Sequence, residues 1–204
     1  MLNTEETQPS PQLILASASP RRRELLDQIG IRYRVETADI DEQVRANETA
    51  EQLVQRLALE KAEVIWRRSD QQLPVLGADT LGLLDDELLV KPENYADAKA
   101  MLQKMSGREH EILSAVALYT QNDAQVVLSR SYVRFREISE AEIAAYWETG
   151  EPCDKAGAYA IQGYGPIFAE YMRGSYSGIM GLPLFETAAL LKTAGIRPLS
   201  ATGC

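Results

Sequence analysis

Two short polar turns constrain this chain more than anything else in it. Asp85-Asp86-Glu87 separates the apolar run 73–84 from 88–90, and Gln121-Asn122-Asp123 separates 109–119 from 125–135. Each reads as a β-hairpin, and a hairpin forces antiparallel neighbours, so the sheet cannot be purely parallel. The rest of the chain alternates strands with helices. Strands are expected over 13–16, 32–37 and 157–162, and helices over 20–29, 49–66, 95–105, 139–149 and 183–194. Ser139 followed by Glu142 is a capping box, and Pro183 and Gly195 bracket the last helix. The expected class is α/β: a mixed sheet with flanking helices.

The 204 residues carry 21 Lys plus Arg against 30 Asp plus Glu, a formal net charge of −9. That field argues against a nucleic-acid polymer as partner, but not against a small anion in a local basic pocket. No run of 18 apolar residues exists, so no membrane partner is expected. The start lacks the basic and apolar regions of a signal peptide. Residues 1–11 read as a flexible extension, 12–196 as one domain and 197–204 as a tail. Cys153 and Cys204 make no disulfide framework and suit a reducing cytoplasm. The single histidine, His110, lies in a charged, strand-like stretch and reads as solvated. With one histidine, any metal must be a hard cation held by oxygens, Mg²⁺ or Mn²⁺.

Five places carry chemistry. Ser17-Ala18-Ser19-Pro20-Arg21-Arg22-Arg23 places a helix start at Ser19-Pro20 and three arginines in its first turn. Cations there oppose the helix dipole unless an anion binds, so the segment reads as a phosphate site. Arg21 and Arg22 share the side of Leu25 and Ile29, while Arg23 points away. Lys61 is the second: with Ala58 and Ile65 it falls within about 40° of Val54 on the helical wheel, in the middle of the apolar face.

Asp79, in Gly77-Ala78-Asp79-Thr80, is the third, because a buried carboxylate needs a partner or a metal. A three-residue hairpin turn puts Lys91 diagonal to Asp79 on one face, and a two-residue turn breaks that alignment. Both an ion pair and a metal-binding or proton-accepting carboxylate are open. Asp41-Glu42 offers two further carboxylates after the second strand. Finally, Gln162 precedes the flexible turn Gly163-Tyr164-Gly165, where its amide can read a base edge.

Together, in order, these motifs resemble the Maf family of nucleotide pyrophosphatases. They are Leu15-Ala16-Ser17-x-Ser19-Pro20-Arg21-Arg22, Leu57-Ala58-x-x-Lys61-Ala62, Gly77-Ala78-Asp79-Thr80, Lys91-Pro92, Asp154-Lys155-Ala156-Gly157 and Gly181-Leu182-Pro183-Leu184. The resemblance implies an elongated, two-lobed fold like the inosine triphosphate pyrophosphatases (Maf/Ham1), with a central cleft and often a homodimer. It implies hydrolysis of nucleoside triphosphates to monophosphate and pyrophosphate with a divalent cation. Asp79 matches the proton acceptor and a metal position, Lys61 and Lys91 the catalytic cations, Ser17 and Arg22 the phosphate ligands, and Glu42 a metal position. Arg21, Thr80 and Gln162 match the branch acting on dTTP and UTP. Another branch, acting on 7-methyl-GTP, has Trp, Gln and Glu at those places. The alternatives are that branch's substrate, or a nucleotide-sensing protein that regulates septum formation without essential turnover. Ser175-Tyr176 belongs to the same motif set and is expected to help close the pocket.

Overall fold

The structure is a computed structural model that describes residues 10–199. The expected extension lies outside these residues except for 10 and 11, and the tail beyond 199 lies outside them as well. A seven-stranded sheet forms the centre: β1 (Leu13–Leu15), β2 (Tyr33–Val35), β3 (Val75–Leu84), β4 (Glu87–Leu89), β5 (Glu109–Tyr119), β6 (Ala124–Phe135) and β7 (Ala169–Arg173). The order is β2-β1-β3-β5-β6-β7, with β4 paired to β3. β1 runs parallel to β2 and β3, and every other pairing is antiparallel. The mixed sheet is therefore as expected.

The helices are α1 (Pro20–Gln28), α2 (Ala50–Arg68), α3 (Tyr95–Met105), α4 (Glu140–Glu148), α5 (Tyr176–Met180) and α6 (Leu184–Thr193). Thr49 and Gln52 close a capping box on α2, and Ser139 and Glu142 close one on α4, each satisfying two otherwise orphaned backbone N–H groups. The strand period of two splits the core. Ile14, Val75, Leu83, Leu113 and Ala115 pack under α2, while Leu13, Leu76, Ala78, Val116 and Phe135 pack on the opposite face.

One gap in the sheet positions the site. On one edge of β3, β1 pairs only at Val75 and Leu76, and β4 joins only at Gly82. Between them, residues 77–81 have no strand on that side, although β5 covers the other edge throughout. Asp79 and Thr80 sit in this window. α2 closes tightly over it because Gly77 lacks a side chain: a Cβ there would lie 2.2 Å from the Ala58 carbonyl oxygen and 2.9 Å from the Ala62 nitrogen.

Three expectations fail. The β3–β4 turn has two residues, not three: Asp85 (φ 52°) and Asp86 (φ 64°) both take left-handed backbone, the conformation of a tight hairpin, and Leu84 pairs with Glu87. The register therefore shifts by one. Carried past Leu89, it puts Lys91 on the face of Thr80 and Gly82, away from Asp79.

Residues 157–162 form no strand. Short 3₁₀ turns, Glu151–Asp154 and Ala156–Ala158, lead into an irregular loop with Gly157 (φ 72°) and Ala158 (φ 58°) left-handed. The Glu151 carboxylate pins that loop by accepting hydrogen bonds from the Tyr164 and Gly165 N–H groups and from Tyr146 Oη. The strand that completes the sheet is β7 instead.

His110 lies in β5 as expected but is buried at 2% exposure, not solvated. Its parity matches Ile112 and Val116, which face the core. Nε2 lies 2.6 Å from Tyr159 Oη, and the rings of Phe135 and Tyr159 pack edge-on against it.

Replacing Gly77 by alanine forces α2 off β3. It is expected to lower unfolding stability by about 3 kcal/mol, the upper end of overpacking costs, as read by urea denaturation. Stability unchanged within error would refute the close approach. Burial also pushes the His110 pKa down from 6.5 to about 4. Between those pH values the unfolded chain binds a proton that the folded chain refuses, so stability falls with acidification by up to about 3 kcal/mol. His110→Gln keeps a partner for Tyr159 but does not titrate. It should flatten the stability profile between pH 6.5 and 4, and an identical slope in both proteins would sink the assignment.

Candidate active site

Asp79 enters the window from β3 on the α2 side. Its side chain is 10% exposed, and Lys61 Nζ from α2 lies 2.7 Å from its Oδ1. The same ammonium lies 2.7 Å from Glu42 Oε1. Lys61 therefore does not run out to solvent from the apolar face: it is 12% exposed and bridges two carboxylates. Glu42 stands on an irregular segment that Arg56 of α2 fastens, by bonding Glu48 and the Gln43 carbonyl. The Arg56 guanidinium holds the Glu48 carboxyl down at about 2. Asp41 takes no part: its carboxylate accepts from the Gln43 N–H in a local turn.

Burial raises the pKa of Asp79 above the ordinary aspartate value. Lys61 opposes this by charge and hydrogen bond, Arg22 opposes it by charge, and Glu42 adds to it. A carboxylate held more basic than usual in this way is a stronger proton acceptor than an exposed aspartate.

β1 ends at Leu15, and the chain turns through Ser17 into α1. Ser19 stands at the N-cap, but its hydroxyl makes no capping bond, and the first turn holds no acid. That leaves helix N–H groups available to an anion. Ser17 Oγ accepts from Arg22 Nη1 at 2.9 Å and from the Ser19 N–H at 3.2 Å. Arg22 Nε donates to the Gly181 carbonyl at 2.9 Å, and Arg21 Nε to the Met180 carbonyl at 3.3 Å. Both arginines thus fasten α1 to the end of α5. Burial lowers the pKa of Arg22, while Asp79 and Glu42 raise it. Arg23 is exposed, as expected.

On the opposite face of β3 lies a cavity of about 370 Å³. Arg21, Arg22, Lys91 and Lys155 line it, against the single carboxylate of Asp154. Thr80 lines it too, bonded to Ser114 Oγ at 2.9 Å, and Ser114 donates to the Gly178 carbonyl of α5. The Gly157 N–H donates to the Val90 carbonyl, which brings Lys155 and Lys91 to one wall. Among the described residues, Lys91 forms no ion pair. Lys155, which the sequence reasoning did not single out, is a further cavity cation, and its place beside Asp154 in the quoted motif was the available signal. Gln162 stands apart, in an adjoining cavity with Tyr176 that shares Met180 with the first.

The predicted residues therefore fall into three groups. Ser17, Arg22, Glu42, Lys61 and Asp79 meet at the window. Arg21, Thr80 and Lys91 line the cationic cavity, with Arg22 common to both groups. Gln162 lies beyond them.

Residues 12–194 match a family described as Maf-like protein. The chain belongs to the Maf family. Similar relatives include the dTTP/UTP pyrophosphatase of Hahella chejuensis, 52% identical over 91% of this chain and 94% of that one. Those of Alkalilimnicola ehrlichii and Methylobacillus flagellatus are 51% and 50% identical, over 89% and 91% of this chain and 92% and 94% of theirs. Among solved structures, the Staphylococcus aureus Ham1 protein is similar over 63% of this chain and 72% of that one, at 15% identity and a TM-score of 0.44. Among the described residues, no helix is long and apolar enough to cross a membrane.

The two family lysines have different structural duties. Lys61→Met leaves the Asp79 carboxylate buried without its cation and is expected to cost about 3–5 kcal/mol. Lys91→Met removes an unpaired cavity cation and should change stability by no more than about 0.5 kcal/mol. Equal losses in chemical denaturation would contradict this division.

Proposed function

We propose that this Maf-family chain hydrolyses dTTP and UTP to the nucleoside monophosphate and pyrophosphate. The observation that carries the reading is the buried Asp79–Lys61 pair in the β3 window, with Arg22 linking it to a cavity of converging cations. The names of the relatives supply the substrates.

In this mechanism, Arg21, Arg22, Lys91 and Lys155 and the free N–H groups of α1 bind the phosphates. Asp79 orients a water and takes its proton as the water oxygen bonds to phosphorus. The bond between the α- and β-phosphates breaks, and the leaving pyrophosphate carries away the electron pair. Lys91 and Lys155 stabilise the charge that develops on it. Lys61 keeps the carboxylate in place.

A divalent cation, Mg²⁺ or Mn²⁺, belongs to the proposal. Glu42 and Asp79 would hold it, and their oxygens on one ammonium are a hard donor set suited to such an ion. Among the described residues, no cluster of three or more His, Cys, Asp or Glu is placed to hold a metal, which favours an ion that arrives on the nucleotide and keeps water and phosphate ligands. When bound, the ion supplies neutralisation of phosphate charge. A cytoplasmic setting is also proposed, supported by the exposed free thiol of Cys153. So is a homodimer, supported by exposed Tyr171 and Met172 on the end strand β7.

The test is pyrophosphate release from dTTP and UTP with Mg²⁺ or Mn²⁺. Asp79→Asn is expected to lower kcat by at least about a hundredfold, as loss of a general base does. No turnover by the unaltered protein would overturn the reading. Undiminished turnover by Asp79→Asn would remove Asp79 from the base role.

A further inference from the structure

The second cavity, about 450 Å³, differs in chemistry from the first. It contains no cation. Its lining is Glu24, Leu25, Gln28, Gln162, Tyr176, Ser177 and Met180. Among the described residues, the side chains of Glu24, Gln28, Gln162 and Tyr176 make no hydrogen bond or ion pair, in a protein whose charged groups are widely paired. Four polar groups without partners therefore face one space.

That space continues the phosphate cavity. Arg21, Glu24, Leu25 and Gln28 lie at i, i+3, i+4 and i+7, one face of α1, so the helix carries a strip from the cationic cavity into the neutral one. Arg21 and Gln28 are separated along the axis by about 10 Å. Met180 lines both cavities, and its carbonyl is held by Arg21 at 3.3 Å. A nucleotide whose phosphates occupy the first cavity thus has its base directed along α1 into the second.

The donors and acceptors there suit one base edge. Uracil and thymine present acceptor, donor, acceptor: two carbonyl oxygens flanking N3–H. Two glutamine amides donate to the oxygens, and a carboxylate accepts from N3–H. Amides can rotate to suit other edges, but the Glu24 carboxylate can only accept. Cytosine places a lone pair at N3, which the carboxylate repels, so Glu24 supplies the discrimination and Gln28 and Gln162 the grip.

We propose that Glu24 and Gln28, with Gln162, form the base-reading edge of the site and that Glu24 selects uracil and thymine against cytosine. This rests on the hydrolysis proposed above. The ring of Tyr176, 51% exposed at the rim, offers a stacking surface for the base.

The experiment measures kcat and KM for UTP, dTTP and CTP with the unaltered protein, Glu24→Gln and Gln28→Ala. Both positions are exposed on α1, so folding is not at stake. Glu24→Gln is expected to shrink the UTP-over-CTP preference in kcat/KM at least fivefold. Gln28→Ala should raise KM for UTP and dTTP at least fivefold with kcat within twofold. Unchanged preference and unchanged KM in an active protein would overturn the inference while leaving the hydrolysis standing. If the unaltered protein turns over no nucleotide, the hydrolysis fails separately. Calorimetric binding of UTP against CTP to the same three proteins then decides the base site, with equal ratios in all three overturning it.

Discussion

The architecture of this site depends on a buried ion pair that only a glycine permits. Asp79 and Lys61 are both nearly out of water, and a carboxylate so placed is costly without its cation. Lys61 reaches it because α2 lies almost in contact with the β3 backbone at Gly77, where any Cβ would collide with Ala58 and Ala62. Gly77 and Asp79 are two residues apart on one strand face, and Ala58 and Lys61 are one helical turn apart. The Gly77-Ala78-Asp79 motif and the Leu57-Ala58-x-x-Lys61-Ala62 motif are thus two sides of one packing contact. The same contact that buries apolar surface under α2 delivers the ammonium to the carboxylate.

The window in β3 makes this pair accessible. Had β1 continued past Leu15, or had β4 begun earlier, a strand would occupy the edge beside residues 77–81. After β1 the chain leaves the sheet and starts α1 at Pro20, a residue pre-set for the first turn of a helix. That exit carries Ser17 and Arg22 to the opening, the general placement of ligand sites beyond the carboxyl ends of strands in open α/β sheets. Asp79 and Thr80 then face opposite sides of one strand. Arg22, whose charge is coupled to Asp79 and Glu42 while it lines the cavity holding Thr80, joins the two halves.

How far the sequence revealed this depended on the range of the signal. Capping residues and period-two or helical patterns placed β5, α3 and α4 closely, because those signals are local. Lys61 was legible as a charge in an apolar stripe, and Arg21 and Arg22 as cations set against a helix dipole. The failures arose where one residue of register or tertiary context decided the outcome. The β3–β4 turn is tight because two aspartates accept left-handed backbone, and that single residue moved Lys91 to the other face. His110 was misread from its charged neighbours, although its parity with Ile112 already put it inside. The loop around Gly157 looked like a strand because Tyr159 and Ile161 are apolar. They are buried, but a carboxylate and left-handed turns hold them there instead of a ladder. β7, with Glu170 and Arg173 in five residues, has too little pattern to be seen without β6 beside it.

The charge distribution links these parts to the handling of substrate. The protein as a whole is acidic, with a formal net charge of −9, yet the cationic cavity sets Arg21, Arg22, Lys91 and Lys155 against Asp154 alone. The general field slows the approach of a polyanion, while the local field holds it once it has arrived. At physiological ionic strength the general field is screened beyond about 8 Å, so the cavity governs binding at short range. A nucleotide whose charge is partly neutralised before it meets the protein gains on the approach and gives up part of the cavity's hold. At the window itself Lys61 and Arg22 face the carboxylates of Glu42 and Asp79, so two cations balance two carboxylates there, and the excess of positive charge lies in the cavity.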